Sequence, residues 1–165
     1  MSQPQNKKPS IRDEELRMGG IVLIQNALKA RFMIEPLINS FENKTETAAD
    51  KNWSCYMIQQ SIELALKGIT RYYYTPFAEG HFVPLNVRLL LELTEKHSEL
   101  NEITDSLLEL QGPVVPTILA KWQALSRYKK IYATNENIMH TLDILDDILA
   151  FIRRHHMYEE IKYKH

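Results

Sequence analysis

The chain has 165 residues, with 20 Lys and Arg against 21 Asp and Glu and a formal net charge of −1. That length suits one domain, and 44% hydrophobic with 25% charged residues is the composition of a globular chain rather than a disordered one. The even charge balance excludes a surface that coats nucleic acid through broad cationic excess, so any phosphate affinity must be local.

Met1–Ser10 is polar, contains proline and lacks the apolar core of a secretory signal, so residues 1–10 read as a flexible leader. A first helix is predicted from Ile11 to Phe41. Asp13, Glu14 and Glu15 meet the positive end of its dipole, and Ile21, Ile24, Leu28 and Phe32 share a stripe. Gly19 and Gly20 are positions where it can bend, and Pro36 kinks it or splits off its final turn. The polar segment Glu42–Asn52 is a connection, in which Thr47 and Asp50 have the spacing of an N-cap pair. A second helix continues to Tyr74 and stops ahead of Pro76, because the residue before a proline avoids helical geometry.

A third helix, or a broken pair, covers Pro84–Gln111. Its acidic residues Glu92, Glu95, Glu99, Glu102, Asp105 and Glu109 read as a solvated face that repels RNA. Gly112-Pro113 ends it. A fourth helix starts near Pro116 and carries Ile118, Leu119, Trp122 and Leu125. The last, Thr134–Arg154, repeats Ile138, Leu142, Leu145, Leu149 and Ile152 at helical spacing. No alternating strand pattern and no internal repeat occurs. The expected fold is all-α, an antiparallel up-and-down bundle of about five helices, with one domain over 11–156 and a frayed tail over 157–165.

The second helix is the informative one. Turning about 100° per residue, Cys55, Ile58, Ile62, Leu66, Ile69 and Tyr73 centre a wide apolar arc, which Met57, Leu64 and Ala65 extend. Gln59, Gln60, Glu63, Lys67, Thr70 and Arg71 fill the remaining strip. A helix apolar over so much of its surface is covered on several sides. The strip is then either its one solvated edge or the wall of a polar pocket, in which Glu63 ties down the cations Lys67 and Arg71.

Across Trp53–Leu93 the chain resembles the HEPN domain family. The resemblance rests on the run from Trp53 to Gly68, where Gln59, Glu63 and Lys67 meet a Gln-x-x-x-Glu-x-x-x-Lys pattern. It also rests on Gly80-His81 followed by apolar residues to Leu85, and more loosely on Ser126-Arg127-Tyr128. The resemblance implies a helical bundle, usually dimeric, that binds nucleotides or RNA, and small members often act beside a minimal nucleotidyltransferase. Some members are metal-independent ribonucleases of toxin–antitoxin type with an Arg-x(4–6)-His motif. None of Arg12, Arg17, Arg31, Arg71, Arg88, Arg127, Arg153 and Arg154 has a histidine at that spacing. The usual acid–base agent of RNA cleavage is therefore missing, and the chain reads as a non-catalytic member. The alternatives are a ribonuclease with a rearranged site and a ligand-free dimerisation bundle.

Candidate ligand contacts are Glu63, Lys67, Arg71 and His81, with Arg127, Tyr128 and Lys130 as a second set. In that second set cations could fix phosphates while the rings of Tyr128 and Tyr132 stack bases; the other reading is a solvated connection. His81 either contacts a ligand phosphate or bonds to backbone at the start of a helix. Of Tyr72, Tyr73 and Tyr74, at least one caps the core, and Tyr72 or Tyr74 could anchor a homodimer. His97 and His140 have no evident partner. His155 and Glu159 would share a helix face, but structural zinc wants four ligands, so no metal and no cofactor is expected. The lone Cys55 reads as a small buried hydrophobe. No apolar run is long enough to cross a bilayer, and the expected compartment is the cytoplasm.

Overall fold

The computed structural model describes residues 8–125 and 133–160. Among them are seven α-helices and one 3-10 helix, with no strand. Helix α1, Ile11–Phe32, opens on a capping box: the Ser10 hydroxyl accepts from the Asp13 amide, and the Asp13 carboxylate accepts from the Ser10 amide. The expected single helix to Phe41 ends at Phe32, and α2, Glu35–Glu42, begins anew with Pro36 in its first turn. Proline fits there because first-turn amides lack helical acceptors anyway.

Helix α3, Ala48–Tyr72, starts with the expected Thr47–Asp50 box. The expected third helix is a broken series: α4, Val83–Leu93, then a 3-10 turn, Ser98–Ile103, then α5, Thr104–Gln111. Helices α6, Val114–Leu125, and α7, Asn135–Arg154, complete the bundle, with Thr134 capping α7 through the Asn137 amide.

Three helix ends share one device. Lys44, Tyr74 and His156 have left-handed φ values of 54°, 61° and 51°. Each follows a helix C-cap, and the next amide reaches back to a carbonyl five residues earlier: Thr45 to Ser40, Thr75 to Thr70, Met157 to Ile152. These are Schellman closures built without glycine. The last one carries the chain further into the fold than the sequence implied. Met157, placed by sequence in a frayed tail, is fully buried, and Gln25 of α1 donates to the Tyr158 carbonyl at 3.0 Å.

Helix α3 runs through the middle, touching α1, α2, α4, α6 and α7. Its closest partner is α1. A Cβ on Gly20 would lie 2.6 Å from the Gly68 carbonyl oxygen, and one on Gly68 would lie 2.7 Å from Ile24 Cγ1. Glycine is present at Gly20 for backbone approach rather than for a bend. Nearby, the Ser61 hydroxyl donates to the Ala27 carbonyl at 2.8 Å, which fixes the two helices in register. The core around this crossing includes Ile24, Ile58, Ile62, Leu90, Leu145 and Phe151, and Cys55 is buried within it as expected.

Candidate functional site

The polar strip of α3 is not a solvated edge. Gln59 is 1% exposed and Glu63 7%, and Thr70 is wholly buried with its hydroxyl donating to the Leu66 carbonyl. A buried carboxylate persists only when its oxygens are hydrogen-bonded or paired. Here Lys67 Nζ donates to Glu63 Oε1 at 2.9 Å and Gln59 Nε2 donates to Oε2 at 2.9 Å. Gln60 in turn donates to the Gln59 side-chain oxygen at 2.8 Å.

The cover over this strip is the segment between α3 and α4. Asn86 of α4 grips it by both atoms of its amide, accepting from the Ala78 amide at 2.8 Å and donating to the Ala78 carbonyl at 3.1 Å. Lys67 Nζ also donates to the Gly80 carbonyl at 2.8 Å. Gly80 sits at φ +91°, a conformation that glycine adopts freely and other residues avoid. That turn delivers His81, whose Nδ1 lies 2.8 Å from Glu63 Oε1. An ionised carboxylate only accepts, so Nδ1 carries the proton and Nε2 is left for solvent or a ligand. His81 is 61% exposed while its carboxylate partner is buried.

Burial pushes the Glu63 carboxyl upward, yet the hydrogen bonds from Lys67, Gln59 and His81 and the charge on Lys67 outweigh it. The result lies below the ordinary carboxylate value. Glu63 is therefore a fixed negative charge that neutralises Lys67 and orients His81.

Arg71, one turn on, has no such counter-charge among the described residues. Its guanidinium carbon stands 4.4 Å from the centre of the Phe77 ring, with Lys67 Nζ at 5.0 Å from the same ring. Its Nε is buried without a hydrogen-bond partner among the described residues. Beside it, Arg17 of α1 lies between the rings of Tyr72 and Tyr74, at 4.5 and 4.3 Å, and donates from Nε to the Tyr72 carbonyl at 3.0 Å. Tyr72 and Tyr74 are half-buried around an arginine, while Tyr73 is the buried one that caps the core.

The structure thus joins Glu63, Lys67 and His81 directly and links Arg71 to them through Phe77. Arg127, Tyr128 and Lys130, with Tyr132, lie outside the described residues. His81 bonds to a side chain, not to backbone. Arg17, Phe77 and Asn86 were missed, since nothing local in sequence connects them to the α3 strip. Among the described residues the other histidines find acids or rings. His97 stacks on Tyr73 at 4.3 Å, His140 lies 3.4 Å from Glu109, and His155 lies 3.1 Å from Glu102.

The acidic face is accordingly less free than its pattern implies, for Glu99 also accepts from the Tyr73 hydroxyl at 2.8 Å. Because α7 ends at Arg154, His155 and Glu159 share no helix face. Among the described residues no group of three or more His, Cys, Asp and Glu side chains is placed to hold a metal. None of the described helices is long and apolar enough to cross a membrane.

Comparison with known proteins gives the family and nothing finer. No curated protein and no solved structure matches the chain. The family model of the HEPN domain matches residues 28–155, a span from within α1 to the end of α7 that contains Glu63, Lys67, Arg71 and His81. The chain belongs to the HEPN domain family.

Proposed function

We propose that this chain is a nucleotide- or RNA-binding member of its family that does not cleave RNA. It acts as a homodimer beside a partner protein, and the family resemblance makes a separate nucleotidyltransferase the partner class. The observation that supports the binding site is one segment, residues 75–82, that presents an imidazole held by Glu63 and lays Phe77 against the guanidinium of Arg71. Glu63 neutralises Lys67 and holds His81 by Nδ1, leaving Nε2 for a ligand, while Arg71 has no acidic partner among the described residues. Arg71 and His81 take the phosphate, and Phe82, 57% exposed next to His81, offers a ring for a base. Lys67 holds the Gly80 turn in place and does not itself need to reach the ligand.

The test is thermal stabilisation by a panel of nucleotides and a short single-stranded RNA, with Arg71→Gln and His81→Gln as variants. A ligand at 100 times its Kd adds about 2.7 kcal/mol to stability. Stabilisation of the parent by a phosphate-bearing ligand, reduced in both variants and weakened by salt, is the expected result. No stabilisation of the parent by any member of the panel rejects the reading.

The same His81 favours a second reading. An imidazole held through Nδ1 by a carboxylate is the usual arrangement of a general base acting through Nε2. Cleavage of a fluorescent RNA by the parent and not by His81→Ala would make the chain a ribonuclease with a rearranged site.

A further inference from the structure

We propose that the groove between α5, α6 and α7 is a docking surface for a cationic amphipathic helix of a partner protein. The groove encloses about 710 Å³. One wall carries Asp105 and Glu109 on α5, the other Asp143 and Asp147 on α7. Within each pair the residues are four apart, so each wall presents two carboxylates one helical turn from each other. His140 approaches Glu109 at 3.4 Å, but Asp105, Asp143 and Asp147 have no cationic partner among the described residues.

Between the walls the lining is mainly apolar, with Ser106 the polar side chain beside it. Val115 and Ile144 form a buried floor, and Leu108 and Val114 stand 50% and 67% exposed at the edge. Large apolar side chains left in water beside unpaired carboxylates are the two halves of one surface: an apolar strip with a negative rail on each side.

The spacing selects the occupant. No group of three or more acids and histidines among the described residues is placed to hold a metal ion, so the carboxylates are spread along the groove rather than gathered on one cation. Nucleic acid is repelled by the same rails. A helix whose apolar stripe is flanked on both sides by Lys or Arg four residues apart would place its stripe on Leu108 and Val114, above the buried Val115 and Ile144. Its cations would then fall opposite both acidic rows. This surface involves none of the residues that hold His81, so its failure and the failure of the nucleotide site are separate outcomes.

The probe is a fluorescein-labelled synthetic helix with a Leu stripe flanked by two Lys rows, its counterpart with Glu rows serving as control. Binding is read by anisotropy against the full chain. The expected result is binding of the Lys helix and not the Glu helix. The affinity should fall about tenfold or more in Asp143→Lys/Asp147→Lys, and a Leu108→Ser variant should weaken binding without changing its salt dependence. Circular dichroism checks the fold, and Asp143→Asn/Asp147→Asn replaces the charge reversal if that variant does not fold.

Equal affinity of parent and double variant, or no binding of the Lys helix at low salt, overturns the proposal. Light scattering supplies a further arm: if the charge reversal converts a dimer to a monomer, the occupant is a second copy of this chain and the partner assignment fails.

Discussion

His81 Nδ1 and Glu63 Oε1 meet at 2.8 Å across a sequence separation of 18 residues, an exposed imidazole resting on a buried carboxylate. The same oxygen takes the Lys67 ammonium, and that ammonium also holds the Gly80 carbonyl. One carboxylate therefore fixes the cation on its own helix, the turn above it and the tautomer of the histidine that the turn presents. The cluster is organised around Glu63 rather than around the cations.

Replacing Glu63 by Gln keeps the shape and removes the charge, leaving Lys67, only 12% exposed along its side chain, without its counter-ion. Breaking a buried pair from one side costs about 3–5 kcal/mol, and partial access to water brings the expected loss here to about 2–3 kcal/mol. Urea unfolding at neutral pH measures it. A pH series identifies the cause. Because the Glu63 carboxyl titrates lower in the folded chain than when unfolded, its stabilisation is fully present above the ordinary carboxylate range. It is lost as pH falls through the lowered folded value. Between about pH 5 and pH 3 the parent should lose stability more steeply than Glu63→Gln, since Glu99 and Glu102 titrate in both. Parallel curves would show that Glu63 carries no such linkage.

The three α1 and α3 glycines separate by what a methyl group would strike. At Gly20 and Gly68 it meets backbone, including the Gly68 carbonyl at 2.6 Å and the Gly20 carbonyl at 2.8 Å, so the helices must part. At Gly19 it meets only the tip of the Arg71 side chain at 2.9 Å, which can swing away. Gly20→Ala and Gly68→Ala should each destabilise by about 1–3 kcal/mol through overpacking. Gly19→Ala should be neutral or stabilise by up to about 1 kcal/mol, the helix-propensity difference between Ala and Gly. Equal effects at Gly19 and Gly20 in thermal unfolding would refute this ordering.

The helical order, the Thr47–Asp50 cap and the buried Cys55 were legible because each is a local pattern or a long periodic one. The α3 strip was legible as residues but not as a surface: its burial depends on the segment 75–82 folding back, which no spacing on α3 encodes. Gly20 looked like a flexible point because its reason, Gly68, lies on another helix. The ends of α2, α3 and α7 carried no glycine signal, so their closures at Lys44, Tyr74 and His156 had no sequence mark. The contact of Arg17 with the rings of Tyr72 and Tyr74 is likewise a relation between helices.

Those glycine-free closures can be sorted by contact. Lys44 is exposed at φ 54° with no side-chain contact among the described residues to hold it there, so Lys44→Gly relieves left-handed strain of about 1–2 kcal/mol. Against this stands the added freedom of glycine in the unfolded chain, about 0.4–1 kcal/mol. A net gain of about 0.5–1 kcal/mol is expected. Tyr74→Gly relieves the same strain but gives up its ring contact with Arg17, about 0.5–1 kcal/mol, so it should gain nothing or lose. Paired melting curves decide it, and stabilisation of both by the same amount would mean that the Arg17–Tyr74 contact contributes nothing.

Cys55 offers a readout of how the bundle opens. Its side chain is buried in the core, and burial pushes the thiol up to about 12 against the opposing charge of Lys51. Thiol reagents attack the thiolate, so in the folded chain both access and ionisation are withheld. A disulfide-exchange reagent at pH 8 should label the native protein only through opening, at a rate that follows global unfolding and rises with added urea. In Gly68→Ala, where α1 and α3 are forced apart, labelling should accelerate by the factor by which stability falls, tenfold for each 1.4 kcal/mol at 25 °C. Rapid labelling of the parent in the absence of denaturant would place Cys55 on a surface and contradict the core drawn around α3.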